Sequence, residues 1–298
     1  MNFKTLIAST LDELTERALN LGNRTVTYPK SGQILILAGG AGSGKGFASK
    51  KVIAFDGKRF DVDELKEKMI KGHSKIICQK FKEQTGRDIT TLNLSNPEDT
   101  SILHQFVEDN GYDKKVIQQF IDAQKRNTDK DTSFSGLKQN IIFDVTLKNI
   151  KKLKTIYEYA TQAGYEKKNI HIVWILNDME VAMRNNQGRP RVVAKEILMN
   201  THEGASLTMH HLIQKNSELR DYMDGDVWVL FNNRDQKDMT WVVKDDNNAN
   251  IGYVAKYTAL QLKRQGQAPY SEAEIEADML QKIKDYVPVN SKTGAKDW

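Results

Sequence analysis

The most explicit chemistry in the sequence lies in a run of small residues closed by a lysine, Gly39-Gly40-Ala41-Gly42-Ser43-Gly44-Lys45, followed by Gly46 and Phe47. Glycines let backbone N–H groups converge on phosphate oxygens. A lysine adds a point charge for the outer phosphates, and a helix beginning there contributes the positive end of its dipole. Residues 34–38 are apolar enough for a buried strand and 47–52 have helix-forming composition, so the turn has the strand-to-helix context that a phosphate-binding loop requires. Residues 39–47 are therefore read as an ATP site.

The Ser or Thr that normally follows the lysine and bonds Mg²⁺ is replaced here by Gly46, with Phe47 next. The Lys-Gly pair resembles adenylate kinase and related nucleotide kinases, whose turn reads Gly-Lys-Gly-Thr, but Phe47 lacks their threonine. Mg²⁺ is then expected to rest on waters, phosphates and carboxylates elsewhere, with Ser43 and Ser49 as the nearest hydroxyls.

Two further stretches end strands in acids. Arg59-Phe60-Asp61-Val62-Asp63-Glu64-Leu65-Lys66 places Asp63 at a strand-to-helix junction, either as the base for an acceptor hydroxyl or simply as the helix N-cap, with Lys66 one turn on as a contact for substrate phosphate. Asn140-Ile141-Ile142-Phe143-Asp144-Val145-Thr146-Leu147-Lys148 has the Walker B arrangement. It makes Asp144 the metal candidate and brings Thr146 and Lys148 towards the acceptor. The plain alternative is a strand followed by a turn.

Arg184-Asn185-Asn186-Gln187-Gly188-Arg189-Pro190-Arg191 gathers three arginines around a Gly/Pro loop, as a lid that spreads the charge of a transferred phosphoryl group would, or as partners for surface acids. Asn232 and Asn233 end a later strand, where they either meet the nucleotide base or form a turn. The six histidines show no metal spacing, and only His202, close after the lid, is a weak candidate.

These residues must be held by a sheet. Apolar runs at 33–38, 59–62, 140–143, 170–176 and 227–231 read as five strands alternating with helical stretches such as 150–163 and 179–185, which predicts a doubly wound parallel α/β sheet. Residues 65–138 form a helical insertion, with helices near 65–85, 100–110 and 114–126 and a polar loop at 129–136. The expected organisation is an N-terminal amphipathic helix over 1–32, a core over 33–235, and a helical C-terminal extension over 236–298. Within that extension a short strand at 240–243, a turn at 245–248, and helices at 253–264 and 271–286 are expected, the last opened by a Ser271/Glu274 capping box.

Acids at 12, 13 and 16 break the first apolar stretch as no secretory segment tolerates, and no window reaches the ~20 apolar residues that cross a bilayer. The single cysteine, Cys78, allows no intrachain disulfide and reads as a small apolar helix residue. Together these predict a cytoplasmic-type protein with no membrane partner. The net charge of +5 is spread along the 298 residues, as on solvated helix faces, and forms no block aimed at nucleic acid.

Taken in order, GGAGSGKG, FDVDELK, IIFDVTLKN and RNNQGRPRVVAKEIL resemble the zeta-toxin and polynucleotide-kinase branch of P-loop kinases, over residues 33–233. In that branch the second Asp of an Asp-x-Asp-x-x-basic stretch is the base. The resemblance thus implies Asp63 as base, Lys66 in place of the usual arginine on substrate phosphate, and a lid opening at Arg184-Asn185 with Arg189 and Arg191. It also implies ATP with Mg²⁺, an acceptor that is a nucleotide-sugar, a nucleotide or a nucleic-acid 5′-hydroxyl, and an antitoxin-like protein partner. Gly46, Phe47, Val145 and the enlarged insertion depart from the pattern. The competing readings are an ATP-binding switch without turnover and a nucleic-acid-binding protein that uses ATP.

Overall fold

The computed structural model describes residues 16–21, 24–29, 31–49, 53, 55–128, 138–189, 192–214, 217–232, 240–244, 250–255, 259–296 and 298. Its centre is a six-stranded sheet in the order β10-β7-β6-β3-β5-β4, with β10 at Ala259–Lys263. The five expected strands are β3 (Ile34–Ala38), β4 (Lys58–Asp61), β5 (Ile141–Asp144), β6 (Ile170–Leu176) and β7 (Val227–Phe231). All five run parallel to their neighbours in this group.

Side chains alternating along β3 feed both faces of the sheet. Ile34, Ile36 and Ala38 join Leu153, Ile156, Met209 and Ile283 from helices α6 (Ile150–Gln162), α8 (Lys195–Leu212) and α9 (Ala277–Tyr286). Leu35 and Leu37 meet Ala48, Ile53 and Phe55 on the other face, with Phe47 packed against them. Apolar burial on both faces is what confines such strands to a doubly wound arrangement.

The helical insertion is present as α2 (Val62–Ile70), α3 (Lys75–Thr85), α4 (Pro97–Asp109) and α5 (Tyr112–Thr128). The single helix expected over 65–85 is divided at Gly72, which has φ 69°, and restarts with Ser74 as its N-cap. Met69, Phe81, Ile89, Leu103, Phe106 and Val107 give this module a core of its own, against which the half-buried Cys78 packs. The loop expected at 129–136 lies outside the described residues.

Three expectations are corrected. Within 1–32, residues 16–21 and 24–29 form an antiparallel pair, β1 (Glu16–Leu21) with β2 (Arg24–Pro29), in place of a helix, and 1–15, 22, 23 and 30 lie outside the described residues. The run Thr25-Val26-Thr27-Tyr28 is rich in residues that suit an extended chain, which outweighs the helical spacing of the leucines before it.

The helix expected over 253–264 is replaced by strands: β9 (Asn250–Ala255) pairs with β8 (Thr240–Lys244), and β10 (Ala259–Lys263) lies antiparallel on β7. The open edge of β7 offers backbone partners that a helix would leave unpaired. Lys263, fully buried there, spreads its Nζ over Asp224 Oδ1 (3.1 Å) and the carbonyls of Gly225 and Arg264 (both 3.0 Å). Finally, the Ser271/Glu274 capping box forms but closes a single 3₁₀ turn, Glu272–Glu274, and α9 starts afresh after it. The expected turn at 245–248 lies outside the described residues.

Candidate functional site

Register brings the acids of the two motif strands together. In β4 and β5, Asp61 stands opposite Asp144, and in β3 and β5, Leu37 stands opposite Asp144. The carboxyl ends of all three strands therefore open beside the turn that leaves β3, where an α/β sheet binds its ligands.

The turn is tied down by side chains that arrive from far along the chain. The Thr201 hydroxyl accepts from Ala41 N (3.0 Å), and His202 Nε2 bonds Ala41 O (2.7 Å), both from α8. Asn177, just after β6, and Asn185, on α7 (Met179–Gln187), each donate through Nδ2 to Gly42 O, at 3.3 and 3.0 Å. Asn232, at the end of β7, donates from Nδ2 to Ser43 O at 2.8 Å.

Gly42 has φ 77°, and a Cβ there would stand 2.3 Å from Ala182 O, so both conformation and space demand glycine. At Gly40 a Cβ would run into the His202 ring. That ring is buried, which drives its pKa down to about 4 and keeps it neutral, with the Nε2 proton on Ala41 O.

Lys45 opens a short helix, α1 (Lys45–Ala48), whose N-cap Gly44 supplies no side-chain acceptor. The Lys45 Nζ donates to Gly39 O (2.7 Å) and Gly40 O (3.2 Å) and lies 4.0 Å from Asp144 Oδ1. Burial lowers its pKa, and Asp144 and Asp63 partly oppose that shift.

Arg59 Nη2 bonds Asp144 Oδ2 and reaches Asp61 Oδ2 at 3.3 Å. Burial, with Asp144 and Asp63 nearby, raises the pKa of Asp61. Asp61 Oδ1 accepts from Asp63 N at 2.8 Å, so the N-cap of α2 is Asp61, and Asp63 is released from the capping role that its position allowed. The Asp63 carboxylate, 39% exposed, has Lys66 Nζ at 3.6 Å, with the Lys66 side chain only 6% exposed.

These groups share one cavity of about 500 Å³, within the size range of small-molecule sites. Residues 41–47 line it. Asp63 and Lys66 line it with Pro97, Thr100, Ser101 and His104 of α4, and Asp144, Thr146, Arg184, Arg189 and Asn232 also border it. Burial and the neighbouring Lys66 hold the His104 pKa below its usual value.

Among the remaining expected residues, Gly39 lies behind the turn, its N–H donating to Thr146 O at 3.4 Å. Lys148 is exposed and is not part of the lining. Arg191 and Asn233 fall outside the described residues. Asn186 was not singled out by its pattern, yet it accepts from Val193 N (3.1 Å) and donates to Val193 O (2.8 Å), pinning the segment that follows the arginines. Arg59, Asn177, Thr201 and the α4 residues were likewise missed, because nothing local in the sequence distinguishes them. His202, a weak candidate by sequence, supports the turn from behind.

The residues present do not fit the usual magnesium site. Gly46 contributes no side-chain oxygen, and Asp144, expected as the metal ligand, is held on Oδ2 by Arg59 and faced on Oδ1 by Lys45. Among the described residues, no three His, Cys, Asp or Glu side chains gather as a metal centre. Nor, among those residues, is any helix long and apolar enough to cross a membrane.

The sheet order, with the glycine turn between β3 and α1 and an acid at the end of the adjacent β5, defines a P-loop-kinase-like α/β fold. No family model matches the sequence, and no curated protein matches it. Among solved structures, the chain is similar to one in the AvrRxo1-ORF1:-ORF2 complex with ATP, at 13% identity and a TM-score of 0.44, covering 87% of this chain and 65% of that one. The native form of the same complex gives 13% identity and 0.45 with the same coverage. A chain from the PezAT chromosomal toxin-antitoxin system of Streptococcus pneumoniae gives 13% identity and 0.36, over 95% of this chain and 92% of that one. The protein thus spans 65% of the AvrRxo1-ORF1:-ORF2 chains it matches.

Proposed function

We propose that the protein is an ATP-dependent phosphotransferase in which Asp63 takes the proton of an acceptor hydroxyl as that oxygen attacks the terminal phosphorus. The new O–P bond forms while the bond from that phosphorus to the bridging oxygen of ADP breaks, and ADP leaves. One observation carries the reading: a single cavity is lined both by the phosphate-binding turn with Lys45 and by the Asp63–Lys66 pair.

In this reading residues 39–47 hold the phosphates, and Lys45, Arg184, Arg189 and Arg191 spread the charge of the transferred group. Asn232 supports the turn on the nucleotide side. Lys66 and Thr146 face the acceptor. The acceptor is a nucleotide-sugar, a nucleotide or a nucleic-acid 5′ end. A cytoplasmic setting fits the lone cysteine, and an antitoxin-like protein is the partner implied by the motif resemblance.

Incubation with ATP labelled on the terminal phosphate, offered with a panel of nucleotide-sugars and a panel of 5′-hydroxyl oligonucleotides, tests the proposal. A labelled acceptor from either panel is the expected result. Retained ATP binding with no labelled product from any acceptor would favour a nucleotide-dependent switch instead.

A further inference from the structure

Resting on the ATP reading above, we infer that the guanidinium of Arg59 stands in for the divalent cation of this site, so that the chain binds the nucleotide phosphates without needing a metal ion. The hydroxyl that would bind the ion is missing at Gly46. A Cβ built at that position has one neighbour within 4 Å, and it is Arg59 Nη2 at 3.7 Å. The guanidinium therefore occupies the space beside position 46 towards which a serine or threonine would point.

The same nitrogen engages both strand-end carboxylates, Asp144 Oδ2 and Asp61 Oδ2, which the β4–β5 register sets opposite each other. Arg59 thus bridges the two acids, and Lys45 Nζ stands 4.0 Å from Asp144 Oδ1. A free ion entering between them would have to displace one of these contacts.

Arg59 also lines the cavity. Guanidinium is permanently charged and presents planar forked donors that match phosphate oxygens. Position 59 is a place where lysine would lose that fork.

The test is calorimetric titration of the full chain with ATP, once in magnesium chloride and once in excess EDTA. The two affinities are expected to agree within about threefold, because charge-assisted guanidinium bonds need no ion. A loss of about tenfold or more in EDTA, which corresponds to 1.4 kcal/mol, would overturn the inference while leaving the ATP site intact. Absence of ATP binding in both buffers would remove the nucleotide reading itself.

Arg59→Gln, checked for folding by its thermal melt, is expected to weaken ATP by about tenfold or more in EDTA. Adding Gly46→Ser to it should restore binding in magnesium only, since a serine Cβ meets nothing closer than ordinary contact there. Unchanged ATP affinity in Arg59→Gln would also contradict the assignment. The wild-type comparison between the two buffers decides the matter even if the variant does not fold.

Discussion

Two regions of the cavity lining are built in different ways. Around the turn proposed to hold the nucleotide, Thr201, His202, Asn177, Asn185 and Asn232 come from four separate elements to bond three consecutive residues, Ala41 to Ser43. Around the position proposed for the acceptor, Asp63 is partly exposed with Lys66 Nζ at 3.6 Å, and the lining includes residues of α4, a helix whose buried side packs into the separate core of the insertion. Phosphate geometry is common to all nucleotide triphosphates and rewards a preorganised cradle. Acceptors differ, and a wall carried on its own module can vary without disturbing the cradle. On the proposed function, the difference places chemistry and specificity on different packing units of this fold.

The contrast can be broken first at the turn. Gly42→Ala meets both a left-handed backbone and the Ala182 carbonyl, which belongs to a helix backbone and cannot turn away. ATP binding measured by calorimetry is expected to disappear, with a stability loss of about 2–4 kcal/mol in urea melts. Turnover with wild-type ATP affinity would show that the cradle is looser than described.

A smaller effect is expected from acid. The His202 pKa falls from 6.5 in the unfolded chain to about 4 in the folded one, so between these values the unfolded state binds the extra proton. Stability is therefore fully present above pH 6.5 and declines as pH drops towards 4, by about 3 kcal/mol from this group. Urea midpoints followed across that window should fall less steeply in His202→Gln, which keeps a donor for Ala41 O without titrating. Equal slopes in the two proteins would mean that the ring is not the buried neutral support found here.

The same contrast explains what was legible in the sequence. The phosphate turn, the five parallel strands and the Asp63–Lys66 spacing are local patterns, and each lies within a residue or so of its expected place. The supports of the turn are not local. Thr201 and Ala41 are separated by 160 residues and Arg59 and Asp144 by 85, so only the folded sheet brings them together. Two acids at 61 and 63 are equally good caps by type, and only the backbone decides that Asp61 takes Asp63 N. The strand at 259–263 escaped for a similar reason: its partner is the free edge of β7, a feature of the sheet and not of the segment.

The central claim is that Asp63 serves the acceptor and not the nucleotide. Its most direct test is single-turnover transfer from labelled ATP to an accepted substrate by wild type and Asp63→Asn, with ATP affinity measured on the same samples. Loss of a general base predicts a fall in transfer of about 10²–10⁴-fold with ATP affinity unchanged. Transfer at the wild-type rate by Asp63→Asn would contradict the account.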